Sequence, residues 1–82
     1  MATLKFKRGI VHNYEATAEI NGKTYLWGIS NGSCNYWGMT VYCNGMMIQS
    51  DGWESSSKKS WVIAANQEYN HLLEGKYNPF HY

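Results

Sequence analysis

The chain has 82 residues, 44% of them hydrophobic and only 16% charged, with seven Lys and Arg against six Asp and Glu for a net charge of +1. That length is expected to hold one core and no second, and the composition excludes a disordered chain. The near-neutral balance excludes a broad cationic field for a phosphate backbone or an anionic membrane.

The N-terminus, Met1 to Arg8, lacks the apolar run of a signal peptide, and no stretch approaches the roughly 20 apolar residues of a membrane span. The expected location is therefore intracellular. In that setting Cys34 and Cys43 read as free thiols, and the sequon Asn31-Gly32-Ser33 stays idle. In chain order, Leu4 and Phe6 alternate with Lys5 and Lys7, which predicts a strand over residues 3 to 8 with charged side chains outward, as on a protected edge. Gly9 to Asn13 reads as a bulge or turn.

Tyr14 to Ile20 alternates strictly between apolar and polar residues and runs into Asn21-Gly22, the commonest pair for a type I′ hairpin turn. Pairing outward from that turn sets Ala18 opposite Tyr25, Ala16 opposite Trp27 and Tyr14 opposite Ile29 on a core face. The other face carries Glu19 with Thr24, Thr17 with Leu26 and Glu15 with Gly28. Ser30 to Asn35 is expected to be a polar loop.

A second hairpin repeats the device, with Tyr36 to Cys43, Asn44-Gly45, and Met46 to about Ser50. The same pairing rule sets Cys43 opposite Met46, Val41 opposite Ile48 and Met39 opposite Ser50 on the core face, in line with Trp37. The other face then receives Tyr42 with Met47, Thr40 with Gln49, and Tyr36 near Trp53. That face is too apolar for ordinary solvent surface.

Ser55-Ser56-Ser57 offers N-cap hydroxyls for a helix running to about Glu74, with Gly75 in the C′ position. Val62, Ala65, Tyr69, Leu72 and Leu73 recur at spacings of three and four and form the stripe that lies on the sheet. Trp61 flanks the stripe, and Ile63 projects away from it. Pro79 keeps residues 75 to 82 out of the helix, so they form a tail.

The predicted fold is α+β: one domain over residues 1 to 82, with an antiparallel sheet of four to five strands over about 3–50. It comprises the two Asn-Gly hairpins and the N-terminal strand, packed against a single C-terminal helix over about 57–74. Catalytic chemistry is thinly supplied by three histidines, six carboxylates and two thiols, with no phosphate loop. A Cys-His pair drawn from Cys34 or Cys43 with His12 or His71 is the one nucleophile arrangement the composition offers. Spacing supports no metal site, because the cysteines lie nine apart and the histidines lack i, i+4 spacing. No catalytic residue, cofactor or metal ligand is assigned.

The stretch from Trp37, with a strand, Asn44-Gly45, a second strand, Gly52-Trp53 and then Ser55-Ser56-Ser57-Lys58-Lys59 opening a helix with Ala64-Ala65, resembles the strand-strand-helix half of a double-stranded-RNA-binding domain. The likeness spans residues 37–73 and lacks the family's first helix. It implies phosphate contacts by Lys58 and Lys59. The same stretch is similar to a tandem-repeat bacterial domain of three strands and a helix. In overall character the chain resembles the small phage-encoded inhibitors of bacterial defence, the anti-CRISPR proteins among them, and that likeness implies a protein partner, a larger host complex, in a bacterial cytoplasm.

The expected function is therefore a non-enzymatic protein-binding module docking through Tyr36, Tyr42, Met47, Trp53, Gln49 and Ile63, with about 2 kcal/mol or more resting on each aromatic anchor. The alternative is RNA or DNA binding through Lys5, Lys7, Arg8, Lys58 and Lys59. A homodimer through the apolar face is a further variant.

Overall fold

A computed structural model of the chain describes residues 3–33, 36–53 and 56–75. Cys34, Ser55 and the expected tail beyond Gly75 lie outside the described residues. Strands β1 (Lys7–Arg8), β2 (Tyr14–Ile20), β3 (Lys23–Ser33), β4 (Tyr36–Cys43) and β5 (Met46–Trp53) form one antiparallel sheet in the order β1-β2-β3-β4-β5. Helix α1 (Lys58–Leu73) packs on one face of it, against β3 and β4. This is the expected α+β arrangement, with the sheet at five strands.

Both turns adopt the left-handed conformations that Asn and Gly tolerate, with φ of 53° and 79° at Asn21 and Gly22 and 53° and 82° at Asn44 and Gly45. The ladder between β2 and β3 has the register that the first turn sets, from Ile20 opposite Lys23 through to Tyr14 opposite Ile29. Its inner face matches small to large: Ala16 lies across from Trp27, and the indole fills the space that alanine leaves. Trp27, Ile29, Met39 and Val41 are the largest fully buried side chains, joined by Ala65 and Trp61 from the helix. Tyr25 stacks on Trp27 at 6.0 Å and Tyr69 of α1 meets its edge at 5.9 Å, so the core is centred on one indole.

The second hairpin departs from the expected register. Cys43 pairs with Met46 and Tyr42 with Met47, but Val41 then pairs with Gln49, Thr40 with Ser50, Met39 with Asp51 and Trp37 with Trp53. Ile48 is the extra residue of a β-bulge and packs against the core. From that point every side chain of β5 lies on the face opposite to the one expected. The cause lies in Met46-Met47-Ile48, three apolar residues in a row, which hold no alternation to say which is surplus.

Other boundaries differ too. Only Lys7 and Arg8 pair as a strand, with Glu15 and Tyr14; the expected strand over 3–8 fails because Leu4 is drawn under the helix, buried, with its N–H donating to Asn66 Oδ1 at 2.6 Å. β3 continues through Ser33, consuming most of the expected polar loop, and β5 runs on past Ser50 to Trp53. Ladder hydrogen bonds come from the backbone and need no apolar side chain.

The helix begins at Ser57, whose hydroxyl accepts from Ser60 N–H in a reciprocal capping box, and ends before Gly75 at φ 74°. Its buried stripe runs through Trp61 and Ala65, with Val62, Ala64, Tyr69 and Leu72 half-buried, while Leu73 is exposed. Trp61 thus lies inside the stripe and Leu73 outside it. An offset of one position along the helix turns its face by about 100°.

Candidate functional site on the open face of the sheet

One face of the sheet carries the helix; the other carries no second layer among the described residues. Cross-strand pairing places Thr17, Leu26, Tyr42 and Met47 in one row of that open face, from β2 to β5. Met47 is 59% exposed, and Leu26 and Tyr42 are half-exposed. A groove of about 390 Å³ runs between this row and the Gly9–Asn13 loop, lined chiefly by Val11, His12, Leu26 and Tyr42.

That loop is tied down on the open face. His12 lies over Gly28, where any Cβ would overlap the imidazole. Its Nδ1 is 3.1 Å from Ser30 Oγ and its ring is 5.8 Å from that of Tyr42. Asn13 Oδ1 accepts from Asn31 N–H at 2.9 Å. With those anchors set, Ile10 and Val11 are held outward, at 102% and 80% exposure. Two adjacent large apolar residues thus stand in water beside an apolar groove.

Farther along the same face Tyr36, 41% exposed, lies flat over Gly52, which has no side chain to hold the phenol away. Gly38, Thr40 and Ser50 surround it in a shallow depression of about 300 Å³. Tyr36, Tyr42 and Met47 therefore share the open face. Trp53, Gln49 and Ile63 do not. The bulge carries Trp53 across from Trp37 on the helix side, although its indole remains 65% exposed. Gln49 turns inward and donates to Glu68 Oε2 at 2.9 Å and to Asp51 Oδ2 at 2.8 Å. Ile63 is exposed on the far side of the helix, beside Asn66, Gln67 and Asn70.

The five cations do not form one patch. Arg8 pairs with Tyr14, and Lys58 Nζ sits 3.7 Å over the Tyr14 ring, so both lie on the helix side. Lys7 pairs with Glu15, on the opposite face. Lys59 is an exposed helix residue, and Lys5 belongs to the unpaired segment before β1.

Two hydrogen-bonding groups have roles that the sequence reading did not assign them. Glu68 stands on the buried stripe, seven residues from Trp61, and accepts from the indole N–H of Trp27 at 3.2 Å as well as from Gln49. Burial raises its carboxyl above the ordinary value, and Asp51 adds to the rise; the hydrogen bonds from Gln49 and Trp27, and then His71, oppose it. A signal was available: a fully buried Trp needs an acceptor, and position 68 is where the helical period delivers one. Ser56 is the other. Its hydroxyl accepts from Trp37 N–H and Trp61 Nε1, each at 3.2 Å, and donates to the Trp53 carbonyl at 2.6 Å, joining the ends of β4 and β5 to the start of α1.

The described histidines and thiol do not converge. His12 lies on the open face, Cys43 on the covered face beside Tyr25, and His71 is exposed on the helix. Burial, and after it Cys43, push the Tyr25 phenol above its ordinary 10.0. Among the described residues no group of three or more His, Cys, Asp or Glu is placed to hold a metal ion, and no helix is long and apolar enough to cross a membrane. No family model, curated protein or solved structure matches this chain.

Proposed function

We propose that the chain is a non-enzymatic protein-binding module that uses the open face of its sheet, with Tyr42, Met47 and Tyr36 as anchors and Leu26, Val11 and Ile10 completing the patch. The observation that carries this reading is the pairing of exposed apolar residues with a groove on a face that no described helix or strand covers. Tyrosine and methionine there supply contact area with a polar or adaptable end. Following its likeness in size and composition to phage-encoded inhibitors, the module acts by occupying the surface of a bacterial defence complex of the CRISPR-Cas type.

The test is plating of a targeted phage on bacteria with an active CRISPR-Cas system, with and without this chain. Plating is expected to recover with the wild type and not with a folded Tyr42→Ala/Met47→Ala variant. No recovery against any effector class removes the inhibitor reading, and equal recovery by the variant removes the site.

A second reading, nucleic-acid binding, is favoured by one observation: Lys58 sits over the Tyr14 ring, which stacks toward Trp37 at 6.5 Å, and Arg8 is the cross-strand partner of Tyr14, a mixture of cations and aromatic faces suited to single strands. It requires affinity for an oligonucleotide that falls by roughly 0.7 log units per log unit of salt for each phosphate neutralised.

A further inference from the structure

The structure carries a second candidate binding site at the free edge of β2, which adjoins the open face at Glu15 and Thr17. β1 pairs with only Tyr14 and Glu15, whereas β2 continues to Ile20. Among the described residues nothing pairs with Ala16–Ile20 on that side. The two-residue turn makes Ile20 and Lys23 a hydrogen-bonded pair, so the even-numbered residues of β2 bond to β3 and the odd-numbered ones turn their backbone groups outward. Asn13, whose carbonyl accepts from Gly9 N–H, follows the same parity. The peptide groups of Thr17 and Glu19 therefore face outward with no described strand to meet them.

A groove of about 470 Å³ opens beside this edge. It exists because Leu4 is pulled away to the helix, so Thr3–Phe6 stands off from β2 in place of pairing with it. Leu4, Ala16 and Tyr69 give the groove an apolar floor, and Lys5, Lys7 and Arg8 stand along it. The one carboxylate in the lining, Glu15, lies folded over Gly9. All three cations are exposed, and among the described residues none is ion-paired.

We propose that this groove takes an extended, acidic segment of a partner protein, which adds to β2 as a sixth strand. The open peptide groups of Thr17 and Glu19 supply main-chain hydrogen bonds, the usual source of affinity in strand addition. Lys5, Lys7 and Arg8 outnumber the carboxylates of Glu15 and Glu19 along this edge, which favours acidic over basic side chains in the added strand. A nucleic acid strand would use the cations but has no use for paired N–H and C=O groups at strand spacing.

The probe is a capped eight-residue peptide alternating Glu with Val, against a Lys-Val counterpart and a dT12 oligonucleotide, each titrated into the labelled full chain and followed by amide shifts and hydrogen exchange. The acidic peptide is expected to shift and protect the Thr17 and Glu19 amides, and the Lys-Val peptide to leave them unchanged. Lys5→Glu with Arg8→Glu is expected to weaken binding at least tenfold, whereas Tyr42→Ala leaves it intact, so failure here is distinct from failure of the open-face reading. The inference is overturned if the acidic peptide does not bind, if it binds without protecting the edge amides, or if dT12 binds the same cations more tightly.

Discussion

The two hairpins start from the same turn and end differently. Asn21-Gly22 and Asn44-Gly45 have nearly identical backbone angles, yet the first ladder runs unbroken through seven pairs while the second loses register after Tyr42 opposite Met47. A turn sets the first pairs of a ladder; the side chains decide whether the register continues. In β2 the alternation is strict, and a slip would bury Glu15, Thr17 and Glu19 while expelling Ala16 and Ile20. In β5 a slip costs little, because Met46, Met47 and Ile48 are interchangeable in polarity. The slip also aims Gln49 at Glu68, which supplies a partner in a place the regular ladder would leave without one.

The sharpest way to break the first hairpin is Trp27→Ala. Removing its largest fully buried side chain is expected to cost about 3–5 kcal/mol, a large part of the stability of a small domain, read by denaturant unfolding. A loss below about 1 kcal/mol would show that the core does not centre on this indole. Next in size is deletion of Ile48. If the bulge is as described, Gln49 stays opposite Val41 and Asp51 opposite Met39, and only the packing of one half-buried side chain is lost, about 1–2 kcal/mol. Cross-strand NOEs that shift by one residue would contradict the bulge.

Smaller effects separate the two turns. Asn21→Ala and Asn44→Ala both place alanine in left-handed backbone, at about 1 kcal/mol each. Asn44→Ala is expected to cost about 1 kcal/mol more, because Asn44 Oδ1 also accepts from Thr24 N–H at 2.9 Å. Equal losses in thermal melts would deny that contact any weight. The smallest expected effect concerns Glu68. Its carboxyl titrates above the ordinary 4.5 in the folded chain, so between those two values the folded state holds more protons than the unfolded one, and stability declines as pH rises through that window. Glu68→Gln keeps an acceptor for Trp27 and is expected to flatten that decline in paired melts across pH 4 to about 7; an unchanged profile would place the titration elsewhere.

The fold was legible where two signals coincided. Alternation and turn agreed for Tyr14–Ile29, and cap, period and Gly75 agreed for the helix. Legibility failed where one signal stood alone. β5 had a turn without alternation, so Trp53 and Gln49 were expected on the open face and lie on the covered one. The strand over 3–8 had alternation without a turn, and Leu4 went to the helix. Of the site, Tyr36, Tyr42 and Met47 were readable from local pairing. Val11 and His12 were not, because their place depends on a loop crossing to Gly28, Ser30 and Asn31, contacts that no short-range pattern encodes.

The surplus residue at Ile48 also governs how copies of the chain can meet. In a two-fold antiparallel pairing of β5 with itself, opposed residues must project to the same side of the sheet. Within Gln49–Trp53 that demands one parity; between Met46 or Met47 and Gln49–Trp53 it demands the other. No single two-fold ladder satisfies both, and one confined to Gln49–Trp53 and centred on Asp51 sets two carboxylates side by side. The surplus residue thus keeps β5 from pairing along its whole length with a second copy of itself, and leaves the faces of the sheet and the free edge of β2 as ground for self-association.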